Sequence, residues 1–164
     1  MPLSPTILES LSTMPTEFER TFRLVPRAQW NFKPVSWEGI PGERFTALEQ
    51  ACHLRDIEID GYHVRIRRML EESGPDLASL DSYELARQRS YSSSDPEHAI
   101  AAFRAARVQT VGMLRQVTAE QLARRGTFAE YGTVTLAGVI HYLSSHDRQH
   151  LACMQWLLGR MASA

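Results

Sequence analysis

The sequence of 164 residues is poor in cysteine, holding only Cys52 and Cys153 and no Cys-x-x-Cys pair. A disulfide framework is not expected, and a reducing cytoplasm is the default compartment. No basic-apolar leader opens the chain, and no apolar run is long enough to span a bilayer, so no membrane role is expected. Charge of one sign is also lacking. The chain carries 18 basic and 19 acidic residues, a net charge of −1, and its arginines are scattered rather than clustered. That is not the basic footprint of a nucleic-acid binder. No run has the alternating period of a strand, no repeat recurs at a solenoid period, and no Gly-x-Ser-x-Gly motif offers a serine nucleophile.

What the chain does have is helical periodicity. A first helix is expected from about Ser4, with Pro5 in its first turn and an apolar series Leu8, Leu11, Phe18, Phe22 and Val25. Pro15 should kink or break it, and Pro26 should end it. Arg27 to Glu43 reads as a loop, rich in Pro and Gly but carrying Trp30, Phe32 and Trp37 to pack over one end of a bundle. A second helix follows from about Arg44 to Glu72, stopped by Gly74-Pro75. Asp76 to Asp95 is a polar connection with a short helix near Leu80 to Arg87. Asp95-Pro96 caps a third helix that runs to about Gln116. Thr118 to Gln121 has the capping-box pattern and opens a short extra helix ending at Gly126. Thr127 to Thr133 is a loop, and the last helix runs from about Thr135 to Leu158. Four amphipathic helices predict an all-α, antiparallel four-helix bundle with a short extra helix before the last one, folded as one domain over residues 1–164.

The last helix contains His146-Asp147-Arg148-Gln149-His150. Residues four apart on a helix differ by about 40° in azimuth, so both imidazoles leave the same side and can share one metal ion. His53, beside the apolar stripe of the second helix, is the candidate third ligand. Three neutral imidazoles leave coordination positions open, the pattern of a catalytic rather than a structural site. The competing reading is a solvated His pair, favoured by the polar neighbours Asp147, Arg148 and Gln149. Against it, Leu143 and Cys153 share the same sector. Glu49, Asp56 and Asp60 lie near His53 on its helix and are candidates to ligate the metal or to orient that ring. Asp147 is a candidate to orient a ligand histidine, with an ordinary solvated acid the alternative. His63 and His141 are rotated off these faces, and His98 lies in the first turn of the third helix, so none of the three is expected to ligate. Cys52 and Cys153 read as small core filler.

Three segments together resemble the DinB-like (DinB/YfiT-like) superfamily: His53-Leu54-Arg55-Asp56-Ile57-Glu58, Glu130-Tyr131-Gly132-Thr133-Val134-Thr135-Leu136, and His146-Asp147-Arg148-Gln149-His150. Trp30-Asn31-Phe32-Lys33-Pro34 and Trp37 fit the loop between that superfamily's first two helices. The resemblance implies a four-helix bundle with a divalent metal held by three histidines, matching His53, His146 and His150, and often a homodimer. Some relatives are thiol-dependent enzymes that use bacillithiol or mycothiol. The expected function is therefore a metal-dependent enzyme acting on a small molecule. A thiol S-transferase using a low-molecular-weight thiol comes first, and a hydrolase using metal-activated water is its nearest variant. The alternative is a non-catalytic, dimeric metal- or ligand-binding bundle. Zinc or nickel is the expected metal, with iron, manganese and cobalt also compatible with three imidazoles.

Overall fold

The computed structural model describes residues 3–163. Helix α1 spans Pro5–Phe22. Helix α2, Ala47–Asp56, passes through a wide π turn at Ile57–Tyr62 directly into α3, His63–Glu71. After a two-residue strand β1, Asp76–Leu77, come α4, Ser82–Gln88, and α5, Pro96–Leu114. The short α6, Ala119–Leu122, precedes strands β2, Arg125–Phe128, and β3, Gly132–Thr135, and the chain closes with α7, Leu136–Ala162.

Each long helix after α1 starts on a side-chain cap. Thr46 and Glu49 form a reciprocal capping box on α2, Asp95 accepts from the Glu97 amide ahead of α5, and Thr135 accepts from the Gly138 amide ahead of α7. These caps satisfy amides that the helix itself leaves unpaired. They also set where each helix begins, and with it which residues face inward.

The four long helical segments are α1, α2–α3, α5 and α7, and their order is fixed by two apolar clusters. One holds Leu11, Ile57, Tyr62, Ile66, Met69, Val111, Leu114 and the first half of α7 from Leu136 to Leu143. The other holds Met14, Phe18, Phe22, Ala47 to Leu54, Ala99 to Phe103, Met154 and Leu157. Helices α1 and α7 run from the first cluster to the second, and α2–α3 and α5 run the opposite way. α1 packs on α5 and α7, and α2 packs on α5 and α7. Antiparallel and parallel neighbours therefore alternate around the bundle. Parallel neighbours cannot be joined by a tight turn, which is why a long connection carries the chain from α3 to α5, while α1 and α2, antiparallel but not packed on each other, are joined by a loop across one end of the bundle.

Between the two clusters lies a belt of buried polar side chains. Arg107, Glu58 and Asp147 are 1%, 0% and 3% exposed. The Arg107 guanidinium binds Glu58 through Nε and Nη2 at 2.9 Å each, and Asp147 through Nη1 and Nη2 at 2.6 and 2.8 Å. Its Nη1 also donates to the Leu11 carbonyl at 3.1 Å. That last bond explains why α1 continues through Pro15 where a kink or break is expected from sequence. Proline at 15 has no N–H to offer the carbonyl four residues back, which is that of Leu11. Arg107 supplies the missing donor from the neighbouring helix.

The other departure from expectation is a small sheet where the sequence reads as loop. Strand β2 pairs antiparallel with β3, Arg125 opposite Thr135 and Phe128 opposite Gly132, and β1 pairs parallel with β2. Strands of two to four residues are too short to print a period, and Gly126, expected to end the preceding helix, lies inside β2. A Cβ at Gly126 would fall 2.7 Å from the Met69 sulfur and 2.8 Å from the Pro75 carbonyl, so the strand reaches the helix only because this residue is glycine.

Arg107→Met should cost at least ~3 kcal/mol, because it leaves buried carboxylates without a cation. Arg23→Met, which breaks only the exposed contacts with Glu19 and Glu97, should cost less than ~1 kcal/mol. Urea unfolding of the two variants checks this, and equal losses would refute the central role given to Arg107.

Candidate metal centre

His53 lies two turns into α2, and His146 and His150 lie one turn apart on α7, the antiparallel neighbour. The three rings meet in the polar belt. Nε2 of His146 lies 3.1 Å from Nε2 of His53 and 3.0 Å from Nε2 of His150. His53 and His150 are buried, and His146 is half-buried. The ring of Phe45 sits 5.3 Å from that of His53, and the ring of Tyr62, on the π turn, sits 6.0 Å from that of His146.

The protonation pattern follows from the surroundings. Nδ1–H of His150 donates to Oε1 of Gln50, which leaves a lone pair on its Nε2. The same Gln50 turns its Nε2 toward the carbonyls of Glu43 and Phe45, at 3.5 and 3.4 Å. Burial holds His53 down at about 4. Burial, then the neighbouring rings, holds His146 and His150 well below the ordinary histidine value. All three rings are therefore neutral at pH 7, the form that ligates metals.

The loop before α2 adds a carboxylate. Glu43 places Oε1 3.9 Å from Nε2 of His53 and Oε2 3.8 Å from Nε2 of His150. One donor atom from each of Glu43, His53, His146 and His150 lies within 4.8 Å of all the others. Among the described residues, Oε2 of Glu43 and Nδ1 of His146 are buried without any hydrogen-bond partner. An unpaired buried carboxylate oxygen beside three converging lone pairs is costly unless a cation sits among them. Donors bonded to one ion at about 2.1 Å stand about 3.0 Å apart at right angles and about 3.4 Å apart at the tetrahedral angle. The observed nitrogen separations of 3.0 and 3.1 Å lie at the short end of that range. The cluster fits a divalent metal.

The acids expected to support these rings have other employment. Glu49 caps α2, accepting from the Thr46 amide at 2.8 Å. Asp56 binds Arg55 at 2.6 Å, the Tyr91 hydroxyl at 2.7 Å and Arg89 at 2.9 Å, and Asp60 binds Arg89 at 2.8 Å. Asp147 points into the Arg107 bridge, where burial pushes its carboxyl up to about 6 against the pull of the guanidinium. None of these four acids hydrogen-bonds a cluster histidine among the described residues. The orienting part expected of an acid falls to the amide of Gln50 at His150.

Three further histidines stand apart from the cluster. His98 and His141 are exposed, and His63 is buried with Nε2 2.9 Å from the Ala106 carbonyl. Both cysteines are buried, and burial raises both thiols, that of Cys153 to about 11. Sequence reasoning missed Glu43, Gln50, Glu58 and Arg107. The one local signal for Glu43 is the glycine before it. A Cβ on Gly42 would come within 3.0 Å of the Cys153 sulfur and of the Gln149 side chain, so the loop touches α7 only with glycine there.

A family model of the DinB superfamily matches residues 10–154. The chain belongs to the DinB superfamily. Among solved structures, YfiT from Bacillus subtilis superposes with a TM-score of 0.84 over 98% of this chain and 90% of its own, at 19% identity. YfiT is described as a probable metal-dependent hydrolase with an unusual four-helix bundle topology. At that identity the likeness speaks to the fold, which this chain shares with the superfamily. No curated protein sequence matches.

The shifted groups set a pH dependence for the metal-free protein. The three histidines are held below their unfolded value, so unfolding takes up protons at each as the pH falls from about 6.5 toward 4, and stability falls with it. Asp147 is shifted the other way, to about 6, so unfolding releases a proton there and partly offsets the trend. Three groups outweigh one. The urea midpoint of chelator-treated protein should therefore drop steadily from pH 7 to pH 5, and a midpoint that held or rose would contradict the burial of neutral rings.

Proposed function

We propose that this member of the DinB superfamily is a divalent-metal-dependent enzyme acting on a small molecule. In this reading His53, His146 and His150 hold the ion through Nε2, and a low-molecular-weight thiol is the nucleophile. The observation that carries it is the convergence of three neutral imidazole nitrogens at 3.0–3.1 Å. A divalent ion there lowers the pKa of a coordinated thiol or water, which makes a nucleophile near neutral pH.

The protein's own groups support the thiol as the nucleophile. A coordinating thiol loses its proton outright, whereas water attack is helped by a free general base. Glu49, Asp56, Asp60 and Asp147 are all committed to caps or guanidinium partners away from the rings, and Glu43, the carboxylate that does stand at the cluster, faces the ring nitrogens. Phe45 and Tyr62 flank the cluster. Burial holds the Tyr62 phenol well above its ordinary value, so it stays protonated and able to donate a hydrogen bond. Gln50 fixes the tautomer of His150. The second reading is a hydrolase, in line with the description given to YfiT. Zinc or nickel is the expected ion.

Elemental analysis of untagged protein should find about one divalent ion per chain, lost in His150→Ala. The loaded protein should then turn over a chromogenic electrophile only when a small thiol is supplied. Turnover of an ester without thiol would favour the hydrolase. Stoichiometric metal with neither activity would favour a non-catalytic binder, and absence of metal with no melting shift on adding zinc or nickel would refute the metal reading.

A further inference from the structure

The three histidines are not the whole donor set. Resting on the metal site proposed above, we infer that Glu43 is a fourth protein ligand, delivered by the loop between α1 and α2. The carboxylate straddles the cluster. Its Oε1 faces His53 and its Oε2 faces His150, at 3.9 and 3.8 Å from their Nε2 atoms. Those separations are too long for hydrogen bonds. They are shorter than the ~4.2 Å that separates two donors bonded at ~2.1 Å on opposite sides of one ion. They therefore match two atoms sharing an ion rather than two atoms touching each other.

Electrostatics leads to the same place. Oε2 of Glu43 is buried and has no hydrogen-bond donor. A buried carboxylate oxygen without a donor or cation is unfavourable. A divalent ion among the nitrogens supplies the compensation.

The loop is built to bring the carboxylate there. Trp37 stacks on Trp156 of α7 with ring centroids 5.9 Å apart, and the Pro41 carbonyl accepts from Gln149 of α7 at 2.9 Å. Gly42 permits close approach to Cys153. Gln50 holds the Glu43 backbone with its amide nitrogen and His150 with its amide oxygen, so one side chain registers the loop against a ring of the cluster.

The test compares wild type, Glu43→Gln and, as a control on the same loop but exposed, Glu38→Gln. Each is stripped, shown by circular dichroism to be folded, and titrated with cobalt(II) against a chelating indicator. Losing even the outer partner of a ligand costs ~10–100-fold in metal affinity, and losing a ligand itself costs no less. Glu43→Gln should therefore weaken cobalt binding at least ~10-fold and alter its visible absorption bands, with Glu38→Gln like wild type. Hydrogen exchange gives a second readout: cobalt should protect the amides around Glu43 in wild type but not in Glu43→Gln. Equal affinity and an unchanged spectrum in Glu43→Gln would overturn Glu43 as a ligand while leaving the three-histidine site standing. Failure of wild type to bind cobalt at all would overturn both.

Discussion

The Arg107 guanidinium holds the middle of the bundle together. It binds Glu58 on the π turn, Asp147 on α7 and the Leu11 carbonyl on α1, from its own place on α5. All four long helical segments therefore meet at one cation. Its charge makes the belt between the two apolar clusters tolerable, because two carboxylates buried without it would be strongly destabilising. The bridge also fixes phase. With Asp147 held toward α5, the histidines on either side of it in the helical net are turned toward α2, where His53 waits. Burial and the guanidinium pull on Asp147 in opposite directions, so the belt is held by a balance of opposing terms rather than by simple pairing.

The metal cluster and the Arg107 bridge use opposite logic at close quarters. In the bridge the Arg107 cation is set between the Glu58 and Asp147 carboxyl groups. In the cluster the rings have been discharged by burial, which turns three nitrogens into bare donors and leaves the Glu43 oxygen with nothing to bind. Neighbouring parts of one buried belt thus serve two ends, one closing the fold and the other inviting a cation. The division is enforced by partners: among the described residues, Glu49, Asp56 and Asp60 are occupied by an amide or a guanidinium, while the buried Oε2 of the loop carboxylate has no hydrogen-bond partner.

Much of this was legible in the residues. Caps at Asp95 and Thr135 and apolar steps of three and four place α5 and α7 to within a few residues. The pair His146 and His150 is readable because helical geometry turns spacing into direction. The acids on α2 were misread for a physical reason. Sharing a helical sector with His53 does not bind a carboxylate to it when Arg55, Arg89 and Tyr91 arrive from other directions. Glu43 was invisible because a loop has no period, and Gln50 because nothing in a sequence says which way an amide side chain faces.

The sequence by itself determined the local matters: four amphipathic helices, their caps, a histidine pair on one face and a third histidine beside an apolar stripe. These depend on neighbours within a turn or two, where covalent geometry ties position to direction. The tertiary structure alone decided that Pro15 is spanned because Arg107 reaches its orphaned carbonyl. It alone paired β1 with β2, strands too short to show a period. It alone set Glu43 opposite His53 and His150 at 3.8–3.9 Å. Each of these joins residues far apart in the chain, and such a contact is fixed by how whole helices pack, which no local spacing encodes.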